Sequence, residues 1–311
     1  MKKLMFGLAV AGLCGAVCAD VTSANVVGYN NFELRDYGNC VGASFLAISD
    51  SDGAYLSTIK VDGYQGVESF IDAGATEGDF YFNRLNELGG TIDAEYYKWL
   101  DMIGEDGNWV GGIWLNAQDQ IVGGTDEQVE FWGIEAADDV LLTQGEAVWF
   151  KTPAAEGGAK YKLVFSGAVS PEDSVFPLVD FGNCIANPMP CDTMLSTVSI
   201  DGYQNVESFI DAGATEGDFY FNRLDELGGT IDAEYYKWLD MIGEDGNWVG
   251  GIWLNAYDQI VGGTDEQVEF WGIEAADDVP LKAGEGLWFK APQAGDGAQF
   301  YFTIGSPIKK N

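Results

Sequence analysis

The chain contains one stretch of sequence twice. LSTIKVDGYQGVESFIDAGATEGDFYFNRL begins at Leu56 and LSTVSIDGYQNVESFIDAGATEGDFYFNRL at Leu195, an offset of 195 − 56 = 139. The offset holds as far as the FKTP that begins at Phe150 and the FKAP that begins at Phe289. From Val61 to Val140 the copies differ only at Val61/Ile200, Gly66/Asn205, Asn86/Asp225 and Gln118/Tyr257. Near-identity over that length means one folding unit made twice. Every surface of the unit is then present in duplicate, which favours display or multivalent binding over a single active site.

The duplication extends beyond that block. FELRDYGNC, ending at Cys40, matches FPLVDFGNC, ending at Cys184, at an offset of 184 − 40 = 144. The second copy has therefore lost 144 − 139 = 5 residues between its cysteine and its LST, opposite part of SFLAISDSDGAY, as a tolerated loop would. AKYKLVFSG (159–167) aligns with AQFYFTIGS (298–306). These matches place the first unit at 24–168 and the second at 169–311, joined by a short seam, VSPEDSV, that carries Pro171.

Within a copy the apolar residues run short and alternate. DFYFNRL (79–85) puts Phe80, Phe82 and Arg84 on one face and Tyr81, Asn83 and Leu85 on the other. AEYYKWLD (94–101), NWVGGIWLN (108–116), QVEFWGI (128–134), EAVWFK (146–151) and KYKLVF (160–165) have the same aromatic and β-branched character. ELGGTID, GEDGN, AQDQIVGG and AEGG break them with turn chemistry. Only VESFIDAG (67–74) reads as helix. The expectation is an all-β chain of two tandem β-sandwich or barrel-like domains, each with one short helix.

The N-terminus, MKKLMFGLAVAGLCGAVCAD, has a basic start, an apolar run and small residues at Val17 and Ala19. It reads as a secretory signal peptide over 1–19, too short to span a bilayer. Lipid attachment at Cys18 fits less well, because Val17 stands where a small Gly, Ala or Ser is expected. No transmembrane segment is expected elsewhere, so the mature chain should be extracellular, on the cell surface or in the periplasm. Without Lys2 and Lys3 the basic residues number 15 − 2 = 13 against 50 acidic ones, a net charge of 13 − 50 = −37. That field repels nucleic acid and anionic lipid and attracts cations. The chain has no histidine, which removes Ser-His-Asp and Cys-His catalysis and His-ligated zinc. Cys40, Cys184 and Cys191 remain after the signal; export permits a local Cys184–Cys191 disulfide, and isolated buried thiols are the alternative.

Two kinds of residue could carry binding. All ten tryptophans lie inside the repeats, and aromatic faces beside Asp, Asn and Gln suit sugar rings. Trp109 and Trp248, beside the GEDGN turns, with Trp114 and Trp253, are the carbohydrate-binding candidates, and Tyr96, Tyr97, Tyr235 and Tyr236 could join them; Trp99, Trp132 and Trp149 read as core. Calcium is the second option, since hard cations take several oxygens from flexible loops. Asp106, Asn108, Asp245 and Asn247 repeat one acidic turn, and Asp138, Asp139, Asp277 and Asp278 form carboxylate pairs. None has EF-hand spacing. Asp50 and Asp52 fall where the second copy is shortened, so they form no shared site. With 50 acidic residues, some carboxylate pair always meets glycosidase spacing, so that signal carries no weight.

The mature start DVTSANVVGYNNFEL (20–34), ANPMP (186–190) and the GEAVWF and GEGLWF segments beginning at Gly145 and Gly284 resemble a group of exported bacterial proteins of Verrucomicrobia and Lentisphaerae type. In that group a VxSANVVGY-like start follows the signal and a GEGFWF-like segment comes later. The first copy departs from the ANP pattern with GASFL. The resemblance implies export and a cell-surface location and supplies no catalytic residues.

Together these observations lead to a secreted, non-enzymatic surface or extracellular-matrix protein. Its repeated β domains would self-associate, with no required cofactor and with Ca2+ as a candidate bridge. A pair of tandem carbohydrate-binding modules acting on an extracellular glycan is the alternative.

Overall fold

The computed structural model describes residues 27–43, 53–62, 80–86, 88–103, 109–152, 161–170, 172–201, 219–225, 229–242, 248–292 and 299–306; for 101–103, 109–110, 240–242 and 248–249 it describes the main chain alone. The first repeat forms β1 (Val27–Glu33), β2 (Tyr37–Gly42), β3 (Gly53–Tyr55), β4 (Ile59–Asp62), β5 (Tyr81–Leu85), β6 (Thr91–Ile103), β7 (Trp109–Asn116) and β8 (Ile121–Gly123). Helix α1 (Asp126–Trp132), β9 (Leu141–Thr143), β10 (Ala147–Thr152) and β11 (Lys162–Ala168) complete it. The second repeats the plan: β12 (Ser174–Leu178), β13 (Phe181–Ala186), β14 (Thr193–Met194), β15 (Val198–Asp201), β16 (Tyr220–Leu224), β17 (Thr230–Ile242) and β18 (Trp248–Asn255). Then come β19 (Ile260–Gly262), α2 (Asp265–Trp271), β20 (Pro280–Leu281), β21 (Gly286–Ala291) and β22 (Phe300–Ile304). The chain is all-β in class.

Each repeat is a sandwich. An antiparallel six-stranded sheet, β2-β10-β5-β6-β7-β8, faces a three-stranded one, β1-β11-β4, and β3 pairs with β9 at the side. The two-residue alternation decides which side chains are shared. Val41, Phe82, Tyr97, Trp99, Trp114, Val148 and Phe150 of the large sheet meet Ile59, Val61, Leu163 and Phe165 of the small one in a single buried cluster. The indole N–H of Trp114 donates to the carbonyl of Ile59, 2.7 Å away in the opposite layer. Gly112 makes room for this packing, since a Cβ there would lie 2.4 Å from the Trp99 ring. The second repeat has an equivalent cluster, with Trp253 donating to Val198 at 2.9 Å.

The YGNC and FGNC segments have a local cause. Tyr37 and Phe181 take positive φ values of 73° and 72° as the chain enters β2 and β13. The Asn39 carboxamide bonds both the N–H and the carbonyl of Arg35 (2.8 and 2.9 Å), and Asn183 clamps Val179 in the same way. A side chain that satisfies both main-chain groups holds a turn that β-sheet pairing would otherwise not tolerate.

Three local expectations change. QVEFWGI is not a strand: Asp126–Trp132 is helical, with a Thr125/Gln128 capping box at its start and Gly133 at φ 59° after its end. VESFIDAG lies outside the described residues. AQDQIVGG is not only a break, since it contains β8. Among the described residues no disulfide joins Cys184 to Cys191, and Cys40 is likewise unbridged. Among the described residues no helix is long and apolar enough to cross a membrane.

Candidate functional site

Two of the four tryptophans expected as sugar platforms, Trp114 and Trp253, are not on the surface. Trp114 is 1% exposed and Trp253 is fully buried, each edge-on to its neighbour Trp99 or Trp238 at 5.1 Å. Their indole N–H groups are spent inside the sandwich, so neither ring can meet a sugar. Trp109 and Trp248 open β7 and β18, but their side chains lie outside the described residues.

The acidic candidates divide in the same way. Asp106, Asn108, Asp245 and Asn247 lie outside the described residues. Asp139 accepts from the Ser57 N–H at 3.3 Å and Asp278 from the Ser196 N–H at 3.2 Å, so each holds a short helical turn at Leu56–Thr58 or Leu195–Thr197. Burial raises the Asp139 pKa, and its hydrogen bonds to Ser57 only partly offset that. Asp138 and Asp277 are exposed, and among the described residues no group of three or more carboxylates or thiols converges as metal ligands would. In each pair one carboxylate, Asp139 or Asp278, is bonded to main chain and the other, Asp138 or Asp277, is exposed.

The repeated GE segment has a structural role that the sequence left open. Arg84 donates to Glu146 at 2.6 Å and Glu95 at 3.1 Å, and also to the Leu141 carbonyl. Glu146 in turn accepts from the Thr143 N–H and hydroxyl, both at 3.0 Å. Burial alone would lower the Arg84 pKa, but Glu146 and Glu95 outweigh it and the net shift is upward. Arg223, Glu285 and Glu234 repeat the arrangement. These carboxylates are consumed in holding the β9–β10 turn to β5.

The two repeats are joined through the open edges of their large sheets. The Gly42 N–H donates to the Gly284 carbonyl at 3.0 Å, and the Ala186 N–H to the Gly145 carbonyl at 2.8 Å. Val41 bridges Glu285, and Ile185 bridges Glu146. By the offsets of 144 and 139, Gly42 corresponds to Ala186 and Gly145 to Gly284, so each contact is the other with the copies exchanged. That is a two-fold joint within one chain. Cys40, Ala147 and Ala186 form its buried centre, flanked by Leu85, Trp149, Cys184 and Leu224. Burial, then the neighbouring Cys184 and Glu285, pushes the Cys40 thiol far up. Burial pushes the Cys184 thiol up to about 11. A cleft opens on each side of the joint. One, of about 1100 Å³, lies between the β1–β2 corner and Arg223, Glu234, Lys282 and Glu285. Its mate is about 540 Å³.

The remaining surface of interest is the outer face of each large sheet, opposite the core. Lys151 pairs with Tyr81, which pairs with Lys98; in the next row Trp149 pairs with Asn83, which pairs with Tyr96. The Tyr81 and Tyr96 rings lie 5.1 Å apart, and the Lys151 ammonium sits 5.1 Å over Tyr81. Lys98 pairs with Asp119 in the β7–β8 turn. Burial raises the Tyr96 pKa while Lys98 pulls it down; the net direction is up, so the phenol is a neutral hydrogen-bonding group at physiological pH. Tyr220, Tyr235, Lys237 and Lys290 reproduce the face in the second repeat. The signal for this face lies in the alternation of DFYFNRL and AEYYKWLD, which puts Tyr81 and Asn83 on one side of their strand and Tyr96 and Lys98 on one side of theirs.

Comparison of the chain with protein-family models, curated proteins and solved structures gives no match.

Proposed function

We propose that this chain is an exported, non-enzymatic structural protein of a cell surface or extracellular matrix that works by associating with further copies of itself. The observation that carries the reading is the two-fold joint. Two equivalent units locked edge to edge present every outward surface twice, on one body. A unit with two equivalent attachment surfaces is bivalent, and bivalent units extend into chains where the geometry does not close. The net charge of −35 over the full sequence opposes such contacts, so divalent cations shared by carboxylates of neighbouring copies would promote them. Light scattering on residues 20–311 tests this. Growth in calcium that reverses with chelator is expected, and a monomer in both conditions overturns the reading.

A second reading, tandem carbohydrate binding, is favoured by the outer face of the large sheets rather than by the tryptophans first considered. Tyr81 and Tyr96 offer ring faces beside hydrogen-bonding side chains, in duplicate. A glycan array with the native chain and with Tyr81→Ala combined with Tyr220→Ala tests it; binding unchanged by the pair removes this face from consideration.

A further inference from the structure

The outer face of the large sheet is covered at two places. The other repeat covers the β2/β10 edge around Cys40 and Ala147, and α1 lies over Leu100, Ile113 and Leu115 through Val129 and Trp132. Between these covers run the two rows Lys151–Tyr81–Lys98 and Trp149–Asn83–Tyr96. The offset of 139 reproduces all six residue types in the second repeat.

Asn83 is the informative member. It is 9% exposed and its mate Asn222 7%, yet neither carboxamide makes a side-chain hydrogen bond among the described residues. Sheet alternation aims it outward, between Trp149 and Tyr96, because its neighbour Phe82 is buried in the core. A narrowly exposed amide with no partner among the described residues is a group that a ligand can satisfy. Around it stand aromatic faces that accept the C–H side of a sugar ring. On the rim stand lysines. Lys151 lies over Tyr81 without a carboxylate partner among the described residues, and Lys98 holds one exposed aspartate, Asp119. Asp119 neutralises Lys98, so Lys151 is the cation that this face offers to an anion. The wider negative field is screened beyond about 8 Å at physiological ionic strength, so an anion seated there feels Lys151 first.

We propose that this face binds an acidic polysaccharide. Its sugar rings lie on Tyr81 and Tyr96, its hydroxyls bond the Asn83 carboxamide, and its carboxylate or sulfate groups pair with Lys151. The proposal rests on the carbohydrate-binding reading and holds whether or not the chain self-associates. Two such faces on one rigid body engage one polymer together, raising avidity by about 10²-fold or more over a single face.

Immobilised polygalacturonate, its methyl ester and a sulfated galactan test the proposal against residues 20–311. The first two share a backbone and differ only in charge, and the third separates sulfate from carboxylate as the recognised group. The expected result is retention on one or both acidic polymers at least tenfold tighter than on the ester. Lys151→Gln with Lys290→Gln should cost at least tenfold on the acidic polymer and leave the ester unaffected. Those two ammonium groups lie on the surface over tyrosine rings, so the pair leaves the fold intact, which circular dichroism checks. Asn83→Ala with Asn222→Ala is the second variant and should weaken every bound polymer. Equal binding of acid and ester overturns the acidic specificity while the carbohydrate reading stands. No binding to any of the three overturns both. Native-like binding by both variants removes this face as the site.

Discussion

Gly286 is the position where the joint between the repeats can be tested alone. Its equivalent in the first repeat, at the offset of 139, is Ala147, which sits buried in the same strand position. The strand therefore accepts alanine here, and Gly286→Ala does nothing to the second repeat by itself. Across the joint the situation differs. A Cβ on Gly286 would stand 2.5 Å from the Cys40 sulfur, 2.9 Å from its carbonyl carbon and 3.0 Å from its carbonyl oxygen, all in the other repeat. Carbon atoms pack at about 3.5–4.0 Å, so β2 and β21 must separate by roughly 0.6–1 Å. Moving the sulfur alone gives no relief, because the carbonyl carbon of Cys40 is main chain. Overpacking of this kind costs about 1–3 kcal/mol. If the separation also breaks the Gly42–Gly284 and Ala186–Gly145 hydrogen bonds, about 1 kcal/mol is lost with each. Urea unfolding of the native chain and of Gly286→Ala, followed by tryptophan fluorescence and circular dichroism, measures the difference. A loss of about 1–5 kcal/mol is expected, with the two probes separating if the repeats uncouple. A midpoint and slope equal to the native ones would refute the packed joint, since no rearrangement within either repeat can make that space.

Trp114→Phe leaves the Ile59 carbonyl without its partner from the opposite sheet and should cost about 1–3 kcal/mol in chemical denaturation, with Trp253→Phe similar. Thr125→Ala removes the side chain that caps α1 and should lower stability by about 1 kcal/mol; no change would show that the helix is held by packing alone. The folded chain binds the Cys184 proton more tightly than the unfolded chain, because its thiol is pushed up to about 11 from an ordinary value of 9.0. Stability is then unaffected below about pH 9 and falls as pH rises to 11, by up to about 3 kcal/mol, a slope that Cys184→Ala should reduce. For the same reason Cys184 and Cys40 should resist thiol reagents at pH 8 until the chain is unfolded, as mass spectrometry of alkylated protein would read.

The strands were legible because their alternation survives in the fold: Phe82 faces in and Tyr81 and Asn83 face out, as DFYFNRL implies. The helix at Asp126–Trp132 was misread because Val129, Phe131 and Trp132 are residues that sheets favour. The decisive signal was the TDEQ start followed by a glycine after Trp132, which satisfies both ends of a short helix more cheaply than a strand could. The burial of Trp114 is hidden for a different reason. Polar residues flank its strand, but Gly112 precedes it by two residues, and the close approach it permits lets Trp99 lie against the main chain. Burial in that case follows from a contact between β6 and β7, which single-strand periodicity does not carry. The joint was out of reach altogether. Its residues are glycines, alanines and cysteines whose meaning appears only when two sheet edges face each other.

The joint also holds unlike residues at equivalent places of the two repeats. At a two-fold axis a residue meets its own equivalent. Gly42 and Ala186 are such a pair, and a Cβ on Gly42 would stand 2.3 Å from that of Ala186. Two alanines there would clash and two glycines would leave a gap, so one of each is the closest fit. Separate identical subunits cannot make this choice, because one gene sets both sides of their interface. Two repeats in one chain can. Gly286 and its equivalent Ala147 differ in the same sense, since a Cβ on Gly286 would stand 2.5 Å from the Cys40 sulfur across the joint. The Tyr, Lys and Asn residues of the outer faces (Tyr81, Asn83, Tyr96, Lys98 and Lys151) are the same in both copies.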